Sequence, residues 1–354
     1  MVNYIIRRVL LIPVLLVGVS FIIFGMLQFM SPSERVTLYL REVPRSEAQV
    51  NAVIHRYGLD QPIYVQYWNW LVGTVDPITG ERVGGVLRGD FGWSRVAIQP
   101  VADTIAHRFP ATAELAIWAF APIILVGIWL GIQAAVHHNQ LIDKIARVFS
   151  IIGYSFPTFV FGLLMLMLFY VKLGWFAPGR VTEWAATVIS SPGFHTYTKM
   201  ITFDALLNGR IDIFWDALKH LVLPIMTLSY LNWALLLRVT RSAMLESMRQ
   251  DYITTARSKG IPEQWVIFKH ALPNALIPVA TVAGFMVITL LNGVVITENI
   301  FAFPGIGSQA AAAASQLDVV TVLGYALFSG AILIFANLLV DVLYAVIDPR
   351  VRLS

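Results

Sequence analysis

The chain has 354 residues, of which 57% are hydrophobic and only 13% charged, with no cysteine and a formal net charge of +4. Soluble domains carry about 25% charged residues and disordered chains are more polar still, so both classes are excluded, and a mean hydropathy of +0.71 marks an integral membrane protein. The missing cysteine removes disulfide frameworks, cysteine zinc sites, iron–sulfur clusters and thiol nucleophiles, and so small a positive excess makes no nucleic-acid footprint.

Crossing a bilayer core takes about 20 mainly apolar residues in a helix. Six stretches qualify: 9–30, 112–136, 148–171, 221–237, 275–297 and 319–347. The first follows Arg7 and Arg8, exceeds the roughly 7–15 residues of a cleavable apolar region and lacks a small-residue cleavage site, so it is expected to be a retained anchor. In the polar segment 31–111, Ser46 with Gln49 resembles a capping box opening a short helix that Gly58 closes. Pro62 suits the first turn of a second helix, which carries Ile63, Tyr64, Tyr67, Trp68 and Leu71 on one stripe. That stripe fits either a membrane–water boundary or a small core of the segment itself. Asp90-Phe91-Gly92 spells a kinase magnesium motif, but no companion motif accompanies it.

Glu114 opens the second span. His137 and His138 are adjacent and do not share a helical face as a metal pair would. Gly153-Tyr154-Ser155-Phe156-Pro157 lacks the last glycine of a nucleophile elbow. Segment 172–220 carries no assignable chemistry. The fourth span is the shortest, with Pro224 near its start and Asn232 inside it. From Arg238 to Asn274 the chain reads as a helix up to Lys259, a left-handed turn at Gly260, and a second helix started by Pro262 with Glu263 near its positive end. Ile253, Ala256 and Trp265 are its apolar contacts, and Pro273 is expected to break the second helix before the fifth span.

Ionisable or amide side chains within spans are functional hypotheses by default. Asn232, Asn292, Glu298, Asn337 and Asp341 are therefore candidates for a translocation path, with interhelical hydrogen bonding or bracing at the water boundary as the alternative. Asp341 lies four residues after Asn337, on the same face of the sixth span.

Orientation follows the basic residues of the short loops. With the N-terminus inside, the inner segments carry Arg7, Arg8, Lys144, Arg147, Arg238, Arg241, Arg249, Arg257, Lys259, Lys269, Arg350 and Arg352 against five acidic residues. Both termini are thus expected in the cytoplasm.

The order of parts resembles the permease subunits of binding-protein-dependent ABC importers, in the dipeptide/oligopeptide group. Their cytoplasmic signature is Glu-Ala-Ala, three residues, Gly, nine residues, Ile, one residue, Leu-Pro. Here Ala256, Gly260, Leu272 and Pro273 hold their places, while Thr254, Thr255 and His270 replace the Glu, the first Ala and the Ile. "DYITTARSKG" with "KHALPNALIPV" is similar to the peptide-permease version. "YIIRRVL", "GDFGWS", "RFPATAELA", "HLVLPIMTLSY", "ENIFAFPGIG" and "VDVLYAVIDPRVR" follow the group in order along nearly the whole chain.

The resemblance implies an all-α polytopic membrane protein with six transmembrane helices and the type I importer permease fold. Residues 1–30 would be a cytoplasmic stub and first span, 31–111 extracytoplasmic, 112–347 the permease core with the coupling loop 238–274, and 348–354 a cytoplasmic tail. It further implies a multi-pass protein of the plasma (inner) membrane that is not itself an enzyme. The expected partners are a second homologous permease, two cytoplasmic ATPase subunits, an extracytoplasmic substrate-binding protein and membrane lipid. The loop with Thr254, Thr255, Ala256, Arg257, Lys259, Gly260, Leu272 and Pro273 would dock on an ATPase, with Arg257, Lys259 and Lys269 offered to acidic groups there. This chain has no GxxxxGK[ST] run, so no cofactor is expected on it and magnesium-ATP belongs on the partners. Peptide is the first expectation for the cargo, with oligosaccharide or nickel as alternatives. A secondary transporter or channel is the rival class, but it would normally carry internal repeats, and no duplication is evident.

Overall fold

The structure, a computed structural model, describes residues 2–36, 39–40, 44, 46–75, 80, 82–292 and 294–347. Among these, regular structure is helical apart from two antiparallel ladders, Thr74–Val75 with Arg82–Val83 and Trp93–Ser94 with Gln99–Pro100. Five described helices are long and apolar enough to cross a membrane, and a sixth crossing forms if a sharply bent pair counts as one. The chain divides into two compact units, Val2–Phe109 with Gly305–Leu338, and Pro110–Pro304 with the chain from Leu339.

The first unit begins with α1 (Val2–Leu27), longer at its start than the expected span because Arg7 and Arg8 join the helix. A capped turn, α2 (Pro32–Arg35), leads to α3 (Glu47–Tyr57) and α4 (Ile63–Val72). Ser46 accepts from the Gln49 amide and Gly58 ends α3 at φ +63, while Pro62 is the cap of α4 rather than its first residue. Tyr67 packs edge-on against Phe21 and Phe24 of α1 and shares a hydrogen bond of 2.8 Å with Ser20. Ile63, Tyr64 and Trp68 remain exposed, so the aromatic stripe is shared between α1 and the surface. α5 (Val101–Val136) starts here, eleven residues before the apolar stretch that announced it. At about 1.5 Å per residue it is about 54 Å long, well beyond a hydrocarbon core of about 30 Å.

In the second unit the expected third span is not one rod. α6 (Leu141–Ser155) and α7 (Thr158–Met165), which continues as a π-turn through Lys172, meet at 103°. The cause is local: proline at 157 pushes Phe156 to an extended backbone (φ −92, ψ 119) and so ends the helix. α8 (Glu183–Ile189) and α9 (Ile201–Leu207) then precede α10 (Ile211–Ser247), 37 residues where sequence suggested 17, because charged residues at both ends masked its length. The helix expected to run to Lys259 is interrupted at Met248–Gln250, which frees α11 (Asp251–Ser258) as a separate element.

Pro273 does not break the chain. α12 (Glu263–Trp265) passes through a π-turn (Val266–Ala271) into α13 (Leu272–Leu291), so the wider turn absorbs the missing proline N–H. α13 stops at Asn292, and Glu298 stands on a separate helix, α14 (Val295–Ile300), rather than at the end of the fifth span. Leu115, Ala119 and Ile123 of α5, Leu221, Leu228 and Leu236 of α10, Val279 and Met286 of α13, and Phe303 form the largest core. α5 and α10 approach closely at Gly131, where a Cβ would lie 2.4 Å from that of Thr240.

The chain returns to the first unit with α15 (Ile306–Ser315) and residues 319–338 of α16 (Val319–Ile347). Ile306, Val320 and Tyr325 there pack on Val101 and Ile105 of α5.

Candidate functional site

The loop after α10 is a two-helix bend with one face packed and one exposed. Ile253 and Ala256 are buried among Met244 of α10, Ile132 and Ala135 of α5, and Val266, Ile267 and Ala271 of the π-turn, with Leu272 packed at the edge. Thr254, Thr255, Arg257, Lys259 and Pro273 are exposed. Gly260 turns the chain at φ +74, with nothing within 4 Å of the place a Cβ would occupy, so the demand for glycine is torsional rather than steric. Ser247 donates to the Ala271 carbonyl at 2.9 Å, tying the end of α10 to the π-turn.

Two basic residues are engaged within the bend. Arg257 reaches across the turn to Glu263 with a fork, Nη2 to Oε1 at 2.6 Å and Nε to Oε2 at 3.1 Å. Lys269 holds its ammonium 3.8 Å from the centre of the Trp265 ring, a cation–π contact.

Of the path candidates, Asn232 lines a groove of about 620 Å³ between α10, α13 and α14, with Thr158 of α7 at its edge. Among the described residues its lining is apolar apart from that asparagine and four threonines, with no charged group. The Asn232 amide donates to the Leu228 carbonyl one turn back. Asn292 makes the same contact to Ile288 at the end of α13 and has a buried Oδ1 with no partner among the described residues. Glu298 is fully buried and accepts from Thr112 at 2.7 Å, away from the groove lining. Asn337 is exposed on α16, and the side chain of Asp341 and the tail 348–354 lie outside the described parts. Of the three candidates described in the second unit, Asn232 lines the groove and Asn292 and Glu298 do not.

Several charged groups outside the groove are structural centres. Glu114, assigned to a helix end, is 2% exposed. It pairs with Arg180 and accepts from the Thr202 amide at 2.6 Å and hydroxyl at 2.8 Å. Segment 172–220 is therefore an ordered cover on α5, with Asp216 and Asp204 accepting backbone N–H groups of Thr182 and Thr198. Asp143 is fully buried against Arg241. In the first unit Asp318 accepts from Ser94, Arg95, Val96 and Thr321. Burial opposes its ionisation, yet the Thr321, Val96 and Ser94 donors hold its carboxyl below the usual carboxylate range. A helix-cap pattern, Asp318 with Thr321 just ahead of an apolar run, was the signal for it; Arg180 offered none, since its partner is 66 residues away.

Residues 123–353 match the family described as "Binding-protein-dependent transport system inner membrane component", and residues 1–116 match "Binding-prot-dependent transport system membrane comp, N-term". The chain is 39% identical over 307 residues, 86% of its length and 85% of the relative's, to the probable D,D-dipeptide transport system permease protein DdpB of Escherichia coli (strain K12). It is 37% identical over 354 residues, 99% of both chains, to the di/tripeptide transport system permease protein DppB of Pseudomonas aeruginosa (strain UCBPP-PA14). It is 35% identical over 353 residues, 99% of this chain and 100% of the relative, to the oligopeptide transport system permease protein AppB of Bacillus subtilis (strain 168).

Proposed function

The chain belongs to the family of binding-protein-dependent transport system inner membrane components, and from that premise we propose that it forms half of an ATP-driven path for short peptides. Relatives named for dipeptides, tripeptides and oligopeptides along nearly the full length support the cargo. The other half of the path would be a second, related permease, with two ATPase subunits inside and a substrate-binding protein outside. The groove lined by Asn232 is this chain's part of the path. Its uncharged lining suits solutes delivered by a separate receptor that has already done the selecting.

The observation that carries the reading is the α11–Gly260–α12 bend, one face locked into the helix core and the other open to a partner. A stiff element transmits displacement that a loose tether would absorb. Both termini and this bend face the cytoplasm in this account, in line with the basic excess of the inner loops.

Gly260→Val tests it. A non-glycine residue in the left-handed region costs about 1–2 kcal/mol, and a β-branched one is a conformational outlier, so the turn must deform. Membrane insertion should be normal while peptide transport by the assembled importer is lost, at least tenfold. Normal substrate-stimulated ATP hydrolysis with normal transport in that variant would rule out the bend as the coupling element.

A further inference from the structure

The start of α6 is fixed to α10 by charge, at the end of a seam of otherwise small, uncharged residues. Asp143, Ala146, Ser150 and Gly153 are the buried residues of α6, and their spacing is that of one helical stripe. Their contacts run along α10 toward that helix's start, the last two sharing Ala234. Asp143 lies on Arg241, Ala146 shares a cluster with Leu237, Ser150 donates to the Ala234 carbonyl at 3.0 Å, and Gly153 faces the Ala234 methyl. A Cβ at Gly153 would sit 2.8 Å from that methyl, so the backbones are as close as glycine permits. The seam closes at the bend, where the Tyr230 hydroxyl donates to the Phe156 carbonyl.

Asp143 gathers three segments. Arg241 donates to it as a fork, Nε to Oδ1 at 2.6 Å and Nη2 to Oδ2 at 2.9 Å. The Asn139 amide, in the short turn from α5, donates to Oδ2 at 2.9 Å. Arg147 at 3.7 Å and His138 at 3.6 Å complete its charged surroundings. On the other side, α10 runs on without a break from Arg241 to Ser247, and its Met244 packs in the same cluster as Ile253 and Ala256 of the bend.

The Ser150 and Tyr230 hydroxyls each make a single hydrogen bond to a backbone carbonyl of the seam, whereas a bidentate carboxylate–guanidinium pair fixes position and orientation together. A buried ion pair adds little stability over an apolar replacement, so fixing geometry is its better-attested use. The geometry points to Asp143 and Arg241 as the positioning pair that makes the α6–α7 hairpin move with the ATPase-docking bend. Motion of α11 reaches α10 through Met244, and the pair passes it to the hairpin, whose α7 reaches the groove at Thr158. This inference rests on the coupling role proposed above.

The chain contains no cysteine, so Asp143→Cys with Arg241→Cys gives it two unique thiols that a short bis-methanethiosulfonate reagent can bridge, each thiol displacing a sulfinate to form a reducible disulfide. In the complete importer in proteoliposomes, the unbridged variant should keep substrate-stimulated ATP hydrolysis within twofold. Peptide moved per ATP should fall at least fivefold, and bridging should restore that ratio to within twofold of the unaltered importer. An unchanged ratio before bridging, or no recovery after it, overturns the proposal. If the double variant does not assemble, Arg241→Lys, which keeps the charge and loses the fork, takes its place: a fall in the ratio supports the pair and an unchanged ratio overturns it. The two readings fail differently. An unaltered chain that never associates with an ATPase defeats the coupling role and this inference together, while a coupled importer indifferent to the pair defeats only this inference.

Discussion

Glu114, Asp143 and Asp318 show how this chain tolerates buried carboxylates: each accepts several donors that fix a crossing of segments distant in sequence. Asp318 makes a clear pH case. Its folded-state pKa is depressed, so its contribution to stability is complete above the ordinary carboxylate value of about 3.8 and is lost as pH falls through the lower folded value. Asp318→Asn should lower the thermal midpoint in detergent at pH 6, by the equivalent of about 1–3 kcal/mol for the donors left short. The gap from the unaltered chain should narrow as the buffer approaches pH 3; a gap independent of pH would show that the carboxylate charge is not what holds the cluster. At this scale the sequence was informative where chemistry is local. Gly260 and Gly58 stood out because a helix end demands a left-handed residue, and both adopt it. The Arg180–Glu114 and Arg241–Asp143 pairs gave no such sign, because each depends on where two distant helices come to lie.

At the scale of helices, apolar stretches located the spans but not their limits. α5 and α10 extend past the hydrophobic core at ends that are charged, and charge lowers the hydropathy on which a span is read without weakening a helix. The bend between α6 and α7 was visible as Pro157 yet lay within an unbroken apolar run, which does not distinguish one rod from two. Pro273 was read as a breaker because proline removes a hydrogen bond, and the π-turn ahead of it takes up the loss. The α5–α10 seam is built on a glycine whose need is steric. Gly131→Val should cost about 1–3 kcal/mol through overpacking, read as a lower thermal midpoint. Gly18→Ala, with nothing within 4 Å of its Cβ position, should cost nothing or stabilise α1. Equal tolerance at both positions would mean that close approach does not hold the seam.

For the whole molecule, composition alone fixed the class, since a chain that is 57% hydrophobic and 13% charged has no soluble solution. The family followed from short motifs in order, and full-length relatives carry it independently. What neither composition nor motif conveyed is that the bend, the hairpin and the groove share one helix, α10, which touches all three. That arrangement fits the proposed coupling to a motor outside the chain, whose own sequence carries no GxxxxGK[ST] run. Peptide uptake into proteoliposomes measures this directly. The chain alone, with or without ATP, should move no peptide above protein-free vesicles, and uptake should appear only when the second permease, the ATPases, the binding protein and ATP are all supplied. Saturable uptake by the chain alone in the absence of nucleotide would contradict the account.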